Sequence, residues 1–279
     1  MRRLIPFLLC ALAGFGQPAR IVSTSPSITE TLFALGAGPN VVGVSTYCRY
    51  PPQVRQLPKI GSFSRPNAEQ IALLRPDLVI LHKSASDLEN RLHALGIRTA
   101  EVDRGSLAQV FTSIRAIGDA VGRSSQAAAL TARIRKSIAD NAAKHGSGPR
   151  RSVLLIVGRD RDQLTRLIAA GKQTYLGELL EAAGGSNVMD GEYPHISLET
   201  VIRLNPDVLI DASGMGDEPN DTPEQRRRTV QPWLARQDLK AVRERNVFAV
   251  LSEALVVPGP RVPDALAILS GCLESKERP

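Results

Sequence analysis

The sequence predicts an α/β protein of two Rossmann-like lobes with mostly parallel sheets, joined by one long rigid helix, with a ligand cleft between the lobes. Three observations carry that expectation. First, EQIALLRPDLVIL at residues 69–81 returns as ETVIRLNPDVLID at residues 199–211. Each copy opens on Glu, follows a short helical pattern and stops at Pro-Asp before an unbroken apolar run. Proline cannot continue a helix and moves the residue before it out of helical geometry. An apolar run without polar alternation suits a strand covered on both faces. The copies lie 130 positions apart, so the repeated unit is a lobe. Second, strand and helix patterns alternate in both halves, the signature of parallel sheets. Third, residues 124–145 form a helical run without Gly or Pro, roughly 22 residues or about 33 Å long, between the halves.

The elements follow in order. In the first half RIVST is a strand; Ser25-Pro26-Ser27 turns the chain into helix ITETLFALG, stopped by Gly36 and Gly38; VVGVS is the next strand. Residues 46–66, rich in Pro, Tyr and Ser, form an irregular loop. Asn67 caps a helix, with Gln70 three residues on in a capping-box pattern. LVIL is a strand, DLENRLHALG a helix ended by Gly96, TAEV a strand and LAQVFTSIRAIGDAVG a helix. Polar GSGPRR then breaks the chain before strand SVLLIV. In the second half TYLGELLEAAG is a helix, Ser197 caps helix ISLETVIRL and VLID is a strand. GMGDEPNDTPEQRRR is a flexible polar loop, NVFAVL a strand and VPDALAILSGCL the closing helix. The boundaries expected are an N-terminal lobe over 19–122, a connecting helix over 123–146 and a C-terminal lobe over 147–279.

Residues 1–18 read as an export signal: Arg2 and Arg3 form a positive start, Leu4 to Phe15 an apolar stretch shorter than a membrane span, and small residues follow. The protein is therefore expected in the periplasm or otherwise exported. Cys10 offers a lipid-anchor alternative, against which Leu9 stands where a small residue is wanted. The formal charge is +7, and +5 without Arg2 and Arg3. That excess is dispersed, with no basic stripe and no nucleic-acid motif. Cys48 and Cys272 fall in different lobes and read as buried small hydrophobes or free thiols. An enzyme is not expected, because the chain lacks a G-x-S-x-G elbow, a His/Glu zinc motif and a phosphate-cradling glycine loop.

SPSITETLFALGAG, GVSTYCRYPP, LPKIGSF, IALLRPDLVI, YLGELLEAAGGSN, ISLETVIRLNPDVLID and PGPR resemble the cobalamin and ferric-siderophore branch of ABC-transporter substrate-binding proteins. TYCRYPP followed by LPKIGSF most resembles the cobalamin-binding members. The resemblance spans nearly all the chain after the leader. It implies a monomer that carries a ligand between its lobes with little closure and delivers it to an ABC permease dimer with ATPase subunits. On this resemblance no cofactor is expected to be required, and the expected ligand is cobalamin or another corrinoid. A ferric siderophore or haem is the alternative, since Arg159, Arg161 and Arg261 would suit an anionic complex.

In open α/β sheets ligands sit beyond the carboxyl ends of the strands. That rule selects Tyr47 and Tyr50 after VVGVS, His82 after LVIL, Arg159 and Asp160 after SVLLIV, and the loop leading to Arg261. A corrin is a broad apolar disc with an amide rim, and aromatic side chains offer it rigid faces and hydroxyl tips. The resemblance places Tyr47, Tyr50, Phe63 and Tyr193 in the cleft, with Arg261 reaching in. Trp233, the sole Trp, falls in a peripheral segment. His82 and His195, one per lobe, are candidates for an axial bond to cobalt or haem iron. The alternatives are that His82 stacks on the ligand or bonds a backbone carbonyl, and that His195 is a loop residue. Glu69 and Glu199 stand at helix N-termini, where a carboxylate stabilises the helix by roughly 0.3–1 kcal/mol. The resemblance gives them a second role, docking on permease arginines.

Overall fold

The computed structural model describes residues 17–83, 85–145, 149–214 and 221–274. Residues 1–16 of the expected leader, with Cys10, lie outside these residues, as do residues 215–220 of the polar segment. The first lobe runs β1 (Ile21–Ser23), α1 (Pro26–Ala34), β2 (Val41–Val44), α2 (Ala68–Leu73), β3 (Leu78–His82), α3 (Ser86–Ala94), β4 (Thr99–Val102) and α4 (Leu107–Ala120). Its sheet is parallel throughout, in the order β2-β1-β3-β4. Helix α5 (Ser124–His145) follows. The second lobe runs β5 (Arg151–Gly158), β6 (Leu167–Ala169), α6 (Tyr175–Ala182), β7 (Gly185–Asn187), β8 (His195–Ile196), α7 (Leu198–Leu204), β9 (Val208–Asp211), α8 (Pro223–Leu234), α9 (Lys240–Arg243), β10 (Val247–Ala249), α10 (Glu253–Val256) and α11 (Val262–Glu274).

The two sheets share one plan. Strand β5 is long enough to hold two neighbours on one edge: its first half pairs β7 in parallel, its second half β6 antiparallel. Taking β7 as the neighbour gives β7-β5-β9-β10, parallel throughout and equivalent to β2-β1-β3-β4. Strands β6 and β8 are an antiparallel addition. They are too short for a periodicity signal, and the sequence reading does not contain them.

The Pro-Asp repeat has a mechanical role. In each lobe the Asp ties down the start of the lobe's first strand. Asp77 Oδ2 accepts from the backbone N–H of Ala19 and Arg20, both at 2.9 Å. Asp207 Oδ2 accepts from the N–H and hydroxyl of Ser152, both at 2.8 Å. The residue before each Pro, Arg75 or Asn205, is left-handed at φ 45° and 41°. Each short helix therefore stops where its Pro requires.

Helix α5 packs against α4 of one lobe and against α6 and α11 of the other. Ala127, Leu130 and Ile134 insert into a core that continues through Ile114 and Ile117 of α4 to Leu179 of α6 and Leu269 of α11. The expectation of a flexible loop over residues 214–228 is corrected at its C-terminal end. Thr222 caps α8 by accepting from Gln225 N–H, and Pro223 sits in the first turn. Arg226, Arg227 and Arg228 lie on that helix. Trp233 is not peripheral: it is fully buried in the second lobe's core. Cys48 and Cys272 are both buried and free.

Candidate ligand-binding cleft

A cavity of about 790 Å³ opens between the lobes, at the carboxyl ends of their strands. From the first lobe it is walled by the α1 turn at Ser25–Ser27, by Phe63, by His82 at the end of β3 and by Arg104 after β4. From the second it is walled by Val157 at the end of β5, by Gln173 and Tyr175 at the start of α6, and by Glu192 and Tyr193. Val256, Val257 and Pro258 close it near the lobe junction.

Phe63 meets His82 edge-on with ring centroids 5.6 Å apart, and the Arg104 guanidinium lies over Phe63 at 5.1 Å. His82 is buried; its Nε2 is 3.0 Å from the hydroxyl of Ser25, the N-cap of α1. Its Nδ1 is enclosed, without a hydrogen-bond partner among the described residues. Burial, reinforced by the Arg104 charge, lowers the His82 pKa and keeps the ring neutral. Axial ligation through Nε2 would require breaking the Ser25 contact, so the geometry favours a wall residue. On the opposite side, Tyr193 is half-exposed. Its loop is held by backbone bonds from Gly171 to Glu192, Lys172 to Met189 and Gln173 to Gly191. A Cβ on Gly171 would lie 2.2 Å from the Gly191 carbonyl oxygen, so the close approach requires glycine.

Of the sequence candidates, Phe63, His82 and Tyr193 line the cavity. Tyr47 and Tyr50 are exposed and are not among its lining residues. Arg261 is not in the wall. It forms a two-pronged ion pair with buried Glu30 of α1, Nε to Oε2 at 2.8 Å, and its guanidinium lies 4.4 Å from the Tyr50 ring centroid. Arg159 is also elsewhere: its side chain is 4% exposed. It bonds Asp211 at 2.7 Å and the carbonyls of Asp160, Gln163 and Thr229. His195 is exposed on edge strand β8. Glu69 and Glu199 are exposed in the first turns of α2 and α7, behind the caps Asn67 and Ser197. Among the described residues no three His, Cys, Asp or Glu side chains cluster to hold a metal.

Arg104, Gln109, Gln173, Tyr175 and Glu192 are wall residues that the sequence reading did not select. Arg104 was within reach of the strand-end rule, applied to TAEV. The others depend on how loops fold back, which no local pattern reveals.

The periplasmic binding protein family profile matches residues 21–254. The chain belongs to the periplasmic binding protein family. An uncharacterized ABC transporter substrate-binding lipoprotein of Bacillus subtilis is 29% identical over 264 residues, 91% of this chain and 79% of the relative. A vitamin B12-binding protein of Salmonella typhimurium is 28% identical over 221 residues, 77% and 80% of the respective chains. Among solved structures, a periplasmic heme binding protein of Pseudomonas aeruginosa superposes with a TM-score of 0.78 at 27% identity, covering 94% of this chain and 95% of the other. For this periplasmic binding protein the two-lobe α/β architecture and the family resemblance read from the sequence both hold.

Proposed function

We propose that this periplasmic binding protein is the substrate-binding component of an ABC importer, capturing cobalamin or another corrinoid between its lobes and delivering it to a permease dimer with ATPase subunits. The observation that carries the reading is the cleft's wall. Phe63, Tyr193 and the valines of the lobe junction offer flat apolar area. Ser27, Ser106, Gln109 and Gln173 supply hydrogen-bonding groups suited to an amide rim, and among the described residues the charged wall groups are Arg104 and Glu192. The likeness to the Salmonella protein supports the same ligand. The likeness to the Pseudomonas protein favours haem as the second reading. Export through the leader, with the protein working as a monomer, belongs to this proposal. So does docking through Glu69 and Glu199, whose exposure suits charge-steered encounter.

Calorimetric titration of the protein lacking its leader tests the reading, with cyanocobalamin, haemin and a ferric siderophore as parallel ligands. One-to-one binding of cyanocobalamin, at affinity exceeding both iron complexes, is the expected result. Heat from haemin or the siderophore alone would replace the ligand while keeping the importer class.

A further inference from the structure

Three arginines, Arg159, Arg161 and Arg261, qualify in the sequence as clamps for an anionic ligand, and the structure engages two of them, Arg159 and Arg261, with carboxylates. Arg159 belongs to Asp211, inside the second lobe. Arg261 belongs to Glu30, and that pair joins the lobes at the edge of the cleft. Glu30 is 3% exposed, in the middle of α1. A buried carboxylate in that position would be costly without a partner. Arg261 supplies one: its Nε and one terminal nitrogen face the two carboxylate oxygens, the fork geometry in which a guanidinium binds a carboxylate most strongly. Tyr50 covers the guanidinium face.

We infer that Glu30 is a specificity-determining residue: by holding Arg261, it makes the cleft discriminate against polyanionic ligands and favour one without net charge. The inference rests on the reading that the inter-lobe cleft is the binding site. An anion that recruited Arg261 would strip Glu30 of its partner, a penalty that a neutral ligand never meets. Selectivity of this kind comes from the cost imposed on the wrong ligand rather than from contacts to the right one. The cavity wall itself is balanced, with Arg104 facing one side and Glu192 the other.

The test uses Glu30→Gln, which keeps the size of the side chain and removes its charge, with haemin and a ferric tris-catecholate as anionic probes and cyanocobalamin as the neutral one. The quantity read is the ratio of anionic to neutral affinity. It is expected to rise by about tenfold in Glu30→Gln, the scale of one charge-assisted hydrogen bond. It is expected to return to the wild-type value in Glu30→Gln/Arg261→Gln. An unchanged ratio in Glu30→Gln, or a rise that survives loss of Arg261, overturns the inference. Arg261→Gln alone provides a second readout should Glu30→Gln fold poorly. Under the inference Arg261 contributes nothing to anion binding while Glu30 holds it, so haemin affinity stays within about twofold of wild type; a loss of about tenfold or more overturns it. If wild type ignores cyanocobalamin yet Glu30→Gln still gains anion affinity, the corrinoid reading falls and the filter stands. If no variant binds any probe, both fall.

Discussion

Asp211, at the end of β9, accepts four bonds inside the second lobe. Its Oδ2 takes Arg159 Nε and Trp233 Nε1, both at 2.7 Å, and its Oδ1 takes the N–H and hydroxyl of Ser213 at 2.9 and 2.6 Å. That set explains why Arg159, which follows a strand end as a ligand-binding residue would, is structural: a fully buried Asp and a buried indole N–H both needed partners. Arg159→Ala leaves the Asp211 carboxylate buried without its cation. A loss of about 3–5 kcal/mol in urea unfolding is expected, with ligand affinity in the folded fraction unchanged. A large affinity loss at unchanged stability would return Arg159 to the ligand. Tyr193 should behave in the opposite way. It is half-exposed, so Tyr193→Ala removes little core. Ligand binding should weaken by roughly 1–2 kcal/mol, as for an aromatic contact in a partly desolvated wall, with the thermal midpoint nearly unmoved. Calorimetry and a melting curve on the same variant decide this.

At the scale of elements, the Pro-Asp repeat makes a prediction about acid. The Asp207 pKa is lowered to about 2, chiefly by its bond to Lys240 and further by those from Ser152. A carboxyl held below its unfolded value contributes stability that is complete above the unfolded pKa. That contribution is lost as pH falls from about 4 towards 2. Asp207→Asn should therefore lower stability at pH 7 and flatten its decline between pH 4 and 2, as followed by urea titrations at stepped pH. A parallel decline in both proteins would remove Asp207 from the account. Gly171 gives a second test. Gly171→Ala drives a methyl into the Gly191 carbonyl, so the 189–193 loop must move, and affinity should fall although neither residue is an aromatic or charged contact. The repeat that revealed the two lobes is thus a clamp on each lobe's first strand. It was legible because a Pro-Asp stop and an apolar strand are local patterns. Strands β6, β7 and β8, of two or three residues each, were not legible, since the pairing of β6 and β7 with β5, and of β8 with β6, is set by tertiary register. Helix α8 was missed because its polar first turn reads as loop until buried Trp233 anchors it. In the cleft, Phe63, His82 and Tyr193 were legible from strand ends and resemblance. The engagement of Arg261 by Glu30 was not, because 231 positions separate them.

Over the whole molecule the lobes are bound at several points besides α5. Tyr175 N–H donates to the Gly105 carbonyl at 3.2 Å, and Leu107 N–H to Glu178 Oε2 at 3.1 Å. Arg49 pairs with Glu253 at 2.9 Å and Arg261 with Glu30. One apolar cluster runs unbroken from Ile21 in the first sheet to Leu266 in the last helix. Hinge motion concentrates in a few residues that few contacts restrain, whereas here a helix of 22 residues packs on both lobes. Opening the cleft widely would separate α4 from α6 and expose the core between them. Domain closure of the large-angle kind is therefore not expected. Small-angle scattering should give the same radius of gyration, about 19 Å for a compact chain of this length, with and without saturating ligand. Hydrogen exchange should show ligand protection at the 189–193 loop and the α1 turn, with α5 amides unaffected. A contraction on binding, accompanied by changed exchange along α5, would mean that the helix flexes and that the lobes close by bending it.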